Sequence, residues 1–410
     1  MLTQSQIDII KATAPVVGAH ARQITDVFYP LMFERYPIVK TFFNQAHQEK
    51  GTQRQALANA VVAYATHIDQ LGALGDAVSL IAHKHCALNI LPEHYPIVGE
   101  CLMAAIGEVL GDAVTPEIAD AWTAAYQQLA DILIGVEEQI YQSNTQRRGG
   151  WRGERPFTIA AITQESDVIS SFHLMPCEGE TIINFTSGQY IGLILNIDGQ
   201  SLRRNYSLSD APGKEGLRIS VKREQGGVVS EYLHKRAKVG DTVLLTAPCG
   251  DFVLEDYPRN DASSASNTQR PLVLVTGGVG ITPAISMLNS CVASGRKIIF
   301  VHAAINSRHH AFADHVQNLA GQHKNLLSFT LYNEPLAGDA PDATGFISYD
   351  ILAALLPENR DVDLYFLGPK PFMVCMNQLA KDLNIPAQQV HYEFFGPMED
   401  ISAPATAEVC

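Results

Sequence analysis

The chain has 410 residues and a formal net charge of −14, from 29 Lys and Arg against 43 Asp and Glu. Nucleic acids and anionic membranes reward clustered cations, so this balance argues against both as partners. No apolar run reaches transmembrane length, and no basic stretch followed by an apolar segment marks secretion. We therefore expect a cytoplasmic protein that is not integral to a membrane. Its seven scattered cysteines lack a C-x-x-C pair, which predicts reduced thiols.

The composition changes along the chain and divides it into parts. Residues 1–145 show helical spacing over 4–17 and a helix-favouring composition over 53–71 and 115–141, which predicts an all-α domain. Residues 151–258 show short alternating runs separated by Gly, Pro and Asp, as in an antiparallel β-barrel or sandwich, and we expect the barrel. Residues 259–270 are polar and of low complexity, and we expect a flexible insertion there. In residues 271–400 strands alternate with helices, which predicts an α/β domain with a parallel sheet. The fold class is therefore multidomain.

One histidine of the helical domain is a candidate metal ligand. Val78, Ile81, His85 and Leu88 are spaced three, four and three apart, so they share a helix face and His85 is expected to point inward. His83 lies about 200° away around the helix and is expected to face solvent. An imidazole among aliphatic side chains suits a haem iron. A core histidine bonded to a carbonyl explains the same pattern.

A second helix face strengthens the haem interpretation. Gln53, Leu57, Val61 and Tyr64 also lie on one face, which places a single amide among apolar residues. A plate-like cofactor would have Gln53 and His85 on opposite sides. The stretches 26–37, 50–57, 83–95 and 97–100 together resemble the globin domain of bacterial and yeast flavohaemoglobins.

That resemblance implies roles for the residues around a haem b group. His85 is the proximal iron ligand, and Tyr95 and Glu137 form a catalytic hydrogen-bonded set with it. Such a carboxylate raises the ligand's basicity and favours O–O chemistry over reversible oxygen carriage. Glu138 is adjacent, so the choice of Glu137 rests on the alignment. An exposed carboxylate at a helix end is the alternative for Glu137.

The same resemblance implies the opposite, distal side of the haem. Tyr29 and Gln53 match the residues that hydrogen-bond bound O₂. Leu57 and Phe43 match its apolar wall. A tyrosine buried there for packing alone would still need a partner for its hydroxyl. A lipid in this distal pocket is a further possible ligand.

The β region carries a flavin motif. Arg204 and Tyr206 share one face of a predicted strand, with Ser207 on the other. The segment resembles the R-x-Y-S motif of the ferredoxin reductase superfamily, in which arginine holds the FAD pyrophosphate, tyrosine packs on the isoalloxazine and serine approaches N5. A turn at 226–230 resembles the superfamily's second phosphate loop. A surface strand is the alternative for the motif alone. The implied FAD residues are Tyr190, Arg204, Asn205, Tyr206, Ser207, Gly226, Gly227 and Ser230.

The α/β region carries a glycine turn after an apolar strand, 272–275. Backbone N–H groups there, with a helix dipole behind them, suit a pyrophosphate. The spacing G-x-G-x-x-P is not the full dinucleotide fingerprint, and an ordinary strand–turn–helix connection is the alternative. By resemblance the turn binds NAD(P), and Leu367 stands where the superfamily's nicotinamide-side loop usually has cysteine. The implied residues are Gly277, Gly278, Val279, Gly280, Ile281, Thr282, Gly368 and Pro369.

The segment near the C-terminus resembles the one that packs against the flavin in this family, and its residues are Glu393, Phe394, Phe395, Gly396 and Pro397. By the same resemblance Glu393 works with Lys84 between flavin and haem. Solvated charges are the alternative for both. No acidic residue clearly ends the strand at 297–302, and Arg308 beyond it suits a 2′-phosphate, so NADH and NADPH both stay open.

The resemblance spans roughly residues 1–398 and implies an enzyme. NAD(P)H delivers hydride to FAD, FAD passes single electrons to haem, and the haem with O₂ converts nitric oxide (NO) to nitrate. The implied activity is nitric oxide dioxygenase, and we expect a monomer. Two other functions stay open. One is an oxygen or redox sensor, although no output module is visible. The other is a general flavin reductase acting on quinones, iron chelates or lipid hydroperoxides.

Overall fold

The computed structural model describes residues 2–43, 52–177, 181–255 and 270–396, with the backbone alone over 52–56. The predicted insertion lies outside the described residues except for Arg270, and so do Pro397 and the side chain of Gln53. The chain divides into two compact units. The first comprises Met1–Arg155, Ile191–Asn205 and Leu244–Asp251, and the second Pro156–Tyr190, Tyr206–Val243 and Phe252–Cys410.

Helices build most of the first unit, as the helical spacing of the first 145 residues predicts. Thr3 caps the first helix in a reciprocal capping box with Gln6. Thr115 caps the longest helix, whose first residue is Pro116. The helices in this part are α1 Gln4–Ala19, α2 Ala21–Arg35, α3 Thr52–Thr66, α4 Gly75–Ala87, α5 Tyr95–Leu110 and α6 Pro116–Gln146.

The helix over 53–71 ends earlier than its composition predicts, at Thr66. The side chains of Thr66 and His67 turn back to the carbonyls of Val62 and Ala63, at 2.8 and 2.9 Å. Side chains that bond to the preceding turn compete with the helical backbone. The local polar residues therefore override the helix propensity here.

The core of the first unit forms where the apolar helix faces meet. Helix α1 packs against α3 and α6, α2 against α3 and α5, and α4 against α6. Ile10, Phe28 and Met32 are among its fully buried side chains. Burying one such side chain contributes about 1.5–3 kcal/mol. The helices that carry the candidate haem residues are thus held by their shared core.

Among the described residues, no helix has the length and hydropathy needed to cross a membrane.

The β region is an antiparallel sheet of six strands, which confirms the predicted all-β class. The strand order is β4-β3-β6-β1-β2-β5. A bulge between Ile159 and Ala161 shifts the register of β1 against β2, and such bulges bend a sheet. The strands are β1 Glu154–Gln164, β2 Ile169–Pro176, β3 Tyr190–Ile197, β4 Gln200–Ser207, β5 Leu217–Lys222 and β6 Thr242–Thr246. Helix α7, Val228–Lys235, follows β5.

The second sheet is parallel, and helices cover both of its faces. Its strand order is β10-β9-β8-β7-β11-β12. Leu272 and Leu274 pack with α8 and α9, whereas Val273 and Val275 pack with α10 and α11. A strand buried on both sides has to be largely apolar, as residues 272–275 of β7 are. The elements are β7 Leu272–Gly277, α8 Ile281–Cys291, β8 Ile298–Ala304, α9 Ala313–Gln322, β9 Leu326–Tyr332, β10 Ala343–Thr344, α10 Tyr349–Leu355, β11 Asp363–Leu367, α11 Lys370–Asp382 and β12 Val390–Tyr392.

The cysteines depart from the prediction at one position. Cys375 is disulfide-bonded, so the expectation of reduced thiols throughout is wrong there. Burial raises the pKa of the Cys249 thiol to about 12, which keeps that side chain unreactive. The cysteines with free thiols are Cys86, Cys101, Cys177, Cys249 and Cys291.

Candidate active site

His85 lies in the last turn of α4 and is held through one ring nitrogen. Its Nδ1 is 2.7 Å from Oε1 of Glu137 and 3.1 Å from the hydroxyl of Tyr95. A carboxylate accepts hydrogen bonds, so an imidazole bonded to it carries its proton on Nδ1. Nε2 then keeps its lone pair, which is the form that ligates a metal. The arrangement fits a haem ligand.

Glu137 is the centre of this proximal set. It is only 2% exposed, on the face of α6 that meets α4. The Tyr95 hydroxyl donates to the same carboxylate oxygen. Burial, and then the hydrogen bond to Glu137, raise the pKa of Tyr95, so its phenol stays protonated. The reading of Glu137 as an exposed helix-end carboxylate is therefore wrong. Its more exposed neighbour Glu138 pairs with Arg152 at 2.7 Å.

Two tyrosines of α6 support the set, and the sequence interpretation missed both. The Tyr126 hydroxyl donates to the carbonyl of Tyr95 at 2.6 Å, and the Tyr141 hydroxyl donates to the carbonyl of Ile90 at 2.7 Å. Burial raises the pKa of both phenols, so they remain donors. Tyr126 lies three helical turns before Glu137, and Tyr141 lies one turn after it. This spacing puts all three on one face of α6, which is the sequence signal that could have identified the two tyrosines.

The candidate distal residues lie on α2 and the segment after it. Tyr29 is 3% exposed, and its ring lies 5.7 Å from that of Phe43 and 5.9 Å from that of Phe33. Leu57 of α3 packs against the same apolar cluster. The aromatic and aliphatic wall therefore matches the predicted surroundings of Tyr29. The side chain of Gln53 lies outside the described residues.

His83 does not face solvent, contrary to the prediction. Its Nδ1 accepts a 3.0 Å bond from the backbone N–H of Gly250, and the side chain is half-buried. Burial lowers the pKa of His83, although Asp251 opposes the effect. One turn earlier, the Ser79 hydroxyl donates to Asp251 at 3.0 Å. The face of α4 opposite His85 is therefore occupied by residues of the β region.

Lys84 and Glu393 each have a defined place in their own unit. Lys84 is half-buried in the last turn of α4. Glu393 follows β12 and is 8% exposed, so it is not a solvated charge. Beyond it Phe394 packs against the apolar core of the parallel sheet, whereas Phe395 is 47% exposed. Gly396 has a φ of 142°, a conformation that favours glycine.

The candidate FAD residues lie on two neighbouring strands. Tyr190 begins β3 and is 5% exposed. On β4, Arg204 and Tyr206 are half-buried and Ser207 is buried. Asn205 is exposed. A strand that presents a guanidinium and an aromatic ring from one face suits a flat, phosphate-bearing ligand.

The candidate phosphate turn precedes α7. Gly226 has a φ of 76°, which favours glycine, and Gly227 is the cap residue of the helix. Ser230 closes the turn, because its hydroxyl donates to the carbonyl of Gly227 at 3.1 Å and accepts from the amide of Glu224 at 3.2 Å. A side chain at Gly227 would place its Cβ 2.5 Å from that hydroxyl. The first amides of α7 are thus presented at a tight, fixed turn.

The candidate nicotinamide turn joins β7 to α8. Gly277 ends the strand, Gly278 has a φ of 55°, and Ile281 begins the helix. Gly278 permits the turn, because its positive φ favours glycine. Gly280 permits close packing, because a Cβ there would lie 2.3 Å from the carbonyl of Leu367. The Thr282 hydroxyl donates to the carbonyl of Val279 at 3.1 Å. The predicted set is completed by Val279, Thr282, Gly368 and Pro369. This edge is where parallel sheets bind dinucleotides.

A buried polar cluster behind this turn escaped the sequence interpretation. His302 is 1% exposed, and its Nδ1 is 2.7 Å from the hydroxyl of Thr276, the residue before Gly277. The His302 ring lies 4.5 Å from that of His310, which bonds to the Tyr332 hydroxyl at 3.0 Å. Burial lowers the pKa of His302 well below its usual value and that of His310 to about 4. Both rings are therefore neutral at physiological pH.

Comparisons with known proteins find three matching family models in chain order. A globin model matches residues 26–133, an oxidoreductase FAD-binding domain matches 156–254, and an oxidoreductase NAD-binding domain matches 274–378. Together with the helical region and the two sheets, they define a globin joined to the FAD- and NAD-binding domains of an oxidoreductase.

The chain also matches curated relatives over nearly its whole length. A flavohaemoprotein of Pseudomonas aeruginosa is 49% identical over 98% of this chain and 100% of its own length. One of Pseudomonas putida is 51% identical over 97% and 99%. The crystal structure of a flavohaemoglobin from Malassezia yamatoensis, with bound FAD and haem, has a TM-score of 0.83 at 25% identity and covers 96% of this chain and 100% of that one. The chain belongs to the flavohaemoprotein family. It is an oxidoreductase that uses haem, FAD and a nicotinamide dinucleotide.

Proposed function

We propose that the protein is an NAD(P)H- and O₂-dependent nitric oxide dioxygenase. In the balanced reaction, two NO and two O₂ react with one NAD(P)H to give two nitrate ions, NAD(P)⁺ and a proton. A structure of the FAD/NAD-binding part of a Vibrio cholerae nitric oxide dioxygenase is 33% identical to this chain, with a TM-score of 0.53 over 59% of it and 99% of that chain. The observation that carries the proposal is the hydrogen-bonded set of His85, Tyr95 and Glu137.

The proximal set distinguishes the proposed enzyme from an oxygen carrier. Glu137 holds the Nδ1–H of His85 at 2.7 Å and is itself buried, so water does not weaken the bond. A carboxylate at this position increases the electron donation from Nε2 to a bound metal. Tyr95 fixes the carboxylate by donating to it. These residues favour chemistry on O₂ over its release.

The cofactors supply the redox chemistry when bound, with FAD converting a two-electron hydride into single electrons for the haem. The chain's own residues bind and orient. Arg204 would hold the FAD pyrophosphate, and Tyr190 and Tyr206 would pack on its ring system. The turns at 226–230 and 277–282 offer backbone N–H groups to phosphates. From the family resemblance we also propose that Ser207 approaches flavin N5 and that Glu393 and Lys84 act between flavin and haem.

The distal residues complete the proposed site. Tyr29 would donate a hydrogen bond to O₂ bound there, and the family resemblance assigns Gln53 the same role, while Leu57 and Phe43 would exclude water. A lipid bound in this apolar pocket would compete with O₂. The proposal places the enzyme in the cytoplasm, where NAD(P)H is available, as a monomer, because one chain carries all three cofactor sites.

The dinucleotide preference depends on Arg308. Its Nε bonds to Asp167 at 2.5 Å, and both side chains are exposed. A 2′-phosphate would have to compete with Asp167 for the guanidinium, so the pair favours NADH within the proposal. NADPH oxidation that matches NADH oxidation would contradict this preference.

An NO electrode tests the proposed function. Haem- and FAD-replete protein in aerated buffer should consume NO rapidly after NADH is added, with nitrate as the product. The consumption should stop without O₂ or without the dinucleotide. Loss of about one NO per haem, despite rapid NADH oxidation, would contradict the proposal and favour a sensor or a general flavin reductase.

A further inference from the structure

The C-terminal end of α4, the helix that carries the proposed haem ligand, is completed by bonds from outside the helix. The last carbonyls of an α-helix lack intrahelical donors and need other partners. The three amides that follow the helix turn back onto the carbonyls of residues 84–86. The carbonyl of Ala87 accepts a 3.0 Å bond from the Thr246 hydroxyl instead. The carbonyl of Leu88 accepts one from Arg203 at 3.3 Å.

The Thr246 hydroxyl is fixed in both of its roles. It donates to Ala87 and accepts a 2.8 Å bond from the backbone N–H of Gly192 on β3. Thr246 is 2% exposed, so water does not offer these groups an alternative partner. A Cβ on Gly192 would lie 1.9 Å from the Ala87 carbonyl, and only glycine therefore lets β3 approach the helix this closely.

Two further bonds continue this contact along α4. Ser79, His83 and Ala87 are four residues apart and share one helix face. Their partners are Asp251, Gly250 and Thr246 respectively, all within the segment Leu244–Asp251 of the same unit. His85 is two residues from both His83 and Ala87, about 200° around the helix. One face of α4 thus presents the haem ligand while the other is bound to the β region.

We propose that Thr246 is a positioning residue for electron delivery to the haem, and that it acts by fixing the end of α4 against β3 and β6. The inference rests on the proposed function. Arg204, the proposed FAD pyrophosphate ligand, lies on β4 beside β3 in the sheet. The Thr246 bonds hold the strands that present flavin contacts and the helix that presents the haem ligand in one arrangement.

The local effect is tested by hydrogen exchange on haem- and FAD-replete full-length protein. Thr246→Val keeps the side-chain shape but leaves the Ala87 carbonyl and the Gly192 amide without their partner. The peptide covering residues 79–91 should then exchange about threefold to tenfold faster. Thr246→Ser keeps the hydroxyl and should exchange as the wild type does. Thr242→Val, at the exposed start of the same strand, controls for the replacement itself.

The effect on electron delivery is tested by stopped-flow mixing with NADH in the absence of O₂. Flavin bleaching reports hydride transfer, and the Soret band reports haem reduction. In Thr246→Val flavin bleaching should keep its wild-type rate, whereas haem reduction should slow about threefold to tenfold. Thr246→Ser should recover the wild-type rate. A general loss of folding would lower cofactor content and slow both steps, so selective slowing identifies positioning.

Two outcomes would overturn the inference. One is wild-type exchange over residues 79–91 in Thr246→Val at full haem and FAD content. The other is faster exchange with unchanged haem reduction, since the fixed helix end would then be irrelevant to electron delivery. A failure of the proposed function looks different, because it shows in the wild-type protein on the NO electrode, as the loss of only about one NO per haem despite rapid NADH oxidation.

Discussion

Single hydrogen bonds determine what the residues around His85 are able to do. A lone histidine on an apolar helix face is usually a structural residue, but here a buried carboxylate holds its Nδ1. The bond leaves Nε2 as the only nitrogen that can ligate a metal. On the opposite, distal side the relevant residue is Tyr29, whose hydroxyl is expected to stabilise bound O₂.

Tyr29→Phe should therefore speed the loss of O₂ from the ferrous protein. Removing a hydrogen bond to a charged acceptor costs roughly 1.5–3 kcal/mol, or about tenfold to a hundredfold in the dissociation rate. Flash photolysis measures this rate. Tyr36→Phe is the matched control, because the Tyr36 hydroxyl bonds to Glu100 at an exposed site. An unchanged rate in Tyr29→Phe would remove the distal role of this tyrosine.

The buried pair His302 and His310 links the NAD-binding domain to pH. His310 has a pKa of about 4 in the folded protein, below the usual 6.5, because burial disfavours its charged form. Between these two values the unfolded chain binds the extra proton. The stability from neutral His310 is therefore complete above pH 6.5 and is lost as the pH falls towards 4.

Replacing His310 should remove part of this dependence. We expect the unfolding free energy of the wild-type protein to drop by about 2 kcal/mol between pH 7.5 and pH 5 from this group alone. His310→Asn retains a polar partner for Tyr332 and should flatten the profile by that amount. Urea unfolding of the NAD-binding domain at both pH values measures it. An equal drop in the two proteins would contradict the assignment.

At the scale of elements, two turns and one helix carry most of the site. Helix α4 has two occupied faces, and the sequence indicated only the one with Val78, Ile81 and His85. The turn after β7 was predicted from its glycines, and the structure adds a reason for the third. Gly280 lets the turn meet the carbonyl of Leu367 at the end of β11.

Gly280→Ala should impair the reductase without loss of haem or FAD. The added Cβ would lie 2.3 Å from a backbone oxygen, so the turn must shift. We expect flavin reduction by NADH to fall about tenfold or more, because small displacements of a binding element cost large factors in rate. Gly321→Ala is the control, since no atom lies within 4 Å of its Cβ on α9. Equal flavin reduction in Gly280→Ala and the wild type would refute the role of this turn.

At the scale of the whole molecule, one chain combines a globin with a reductase. The globin, FAD-binding and NAD-binding regions follow one another, and each has a core of its own kind: helical, antiparallel and parallel. The net charge of −14 fits a protein whose partners are small molecules. The reductase should work without the haem, whereas the reaction with NO should not.

His85→Ala separates the two activities. The variant should lose stable haem, because the iron lacks its proximal ligand, while it keeps its FAD. It should reduce ferricyanide with NADH at the wild-type rate and consume no NO catalytically. Haem and flavin absorbance together with both assays give the answer, and His20→Ala, at a half-buried histidine between α1 and α2, is the control. Normal haem content in His85→Ala would refute the ligand assignment.

The amino-acid sequence by itself determined the class of each region and the short motifs within it. Helical spacing, strand alternation and glycine turns are local patterns, and they placed His85, the Arg204–Ser207 strand and the 277–282 turn on their elements. It also indicated Glu137, although only through resemblance. Periodicity could not decide whether that carboxylate was buried, because burial depends on which helix packs against α6.

Only the tertiary structure decided the contacts between residues far apart in the chain. It turned His83 from a predicted surface residue into an acceptor for Gly250, and it brought Thr246 to the end of α4. It also paired His302 with His310 behind the nicotinamide turn. The physical reason is common to all three. A contact between distant segments leaves no period in the sequence, since its partners meet only when separate elements pack together.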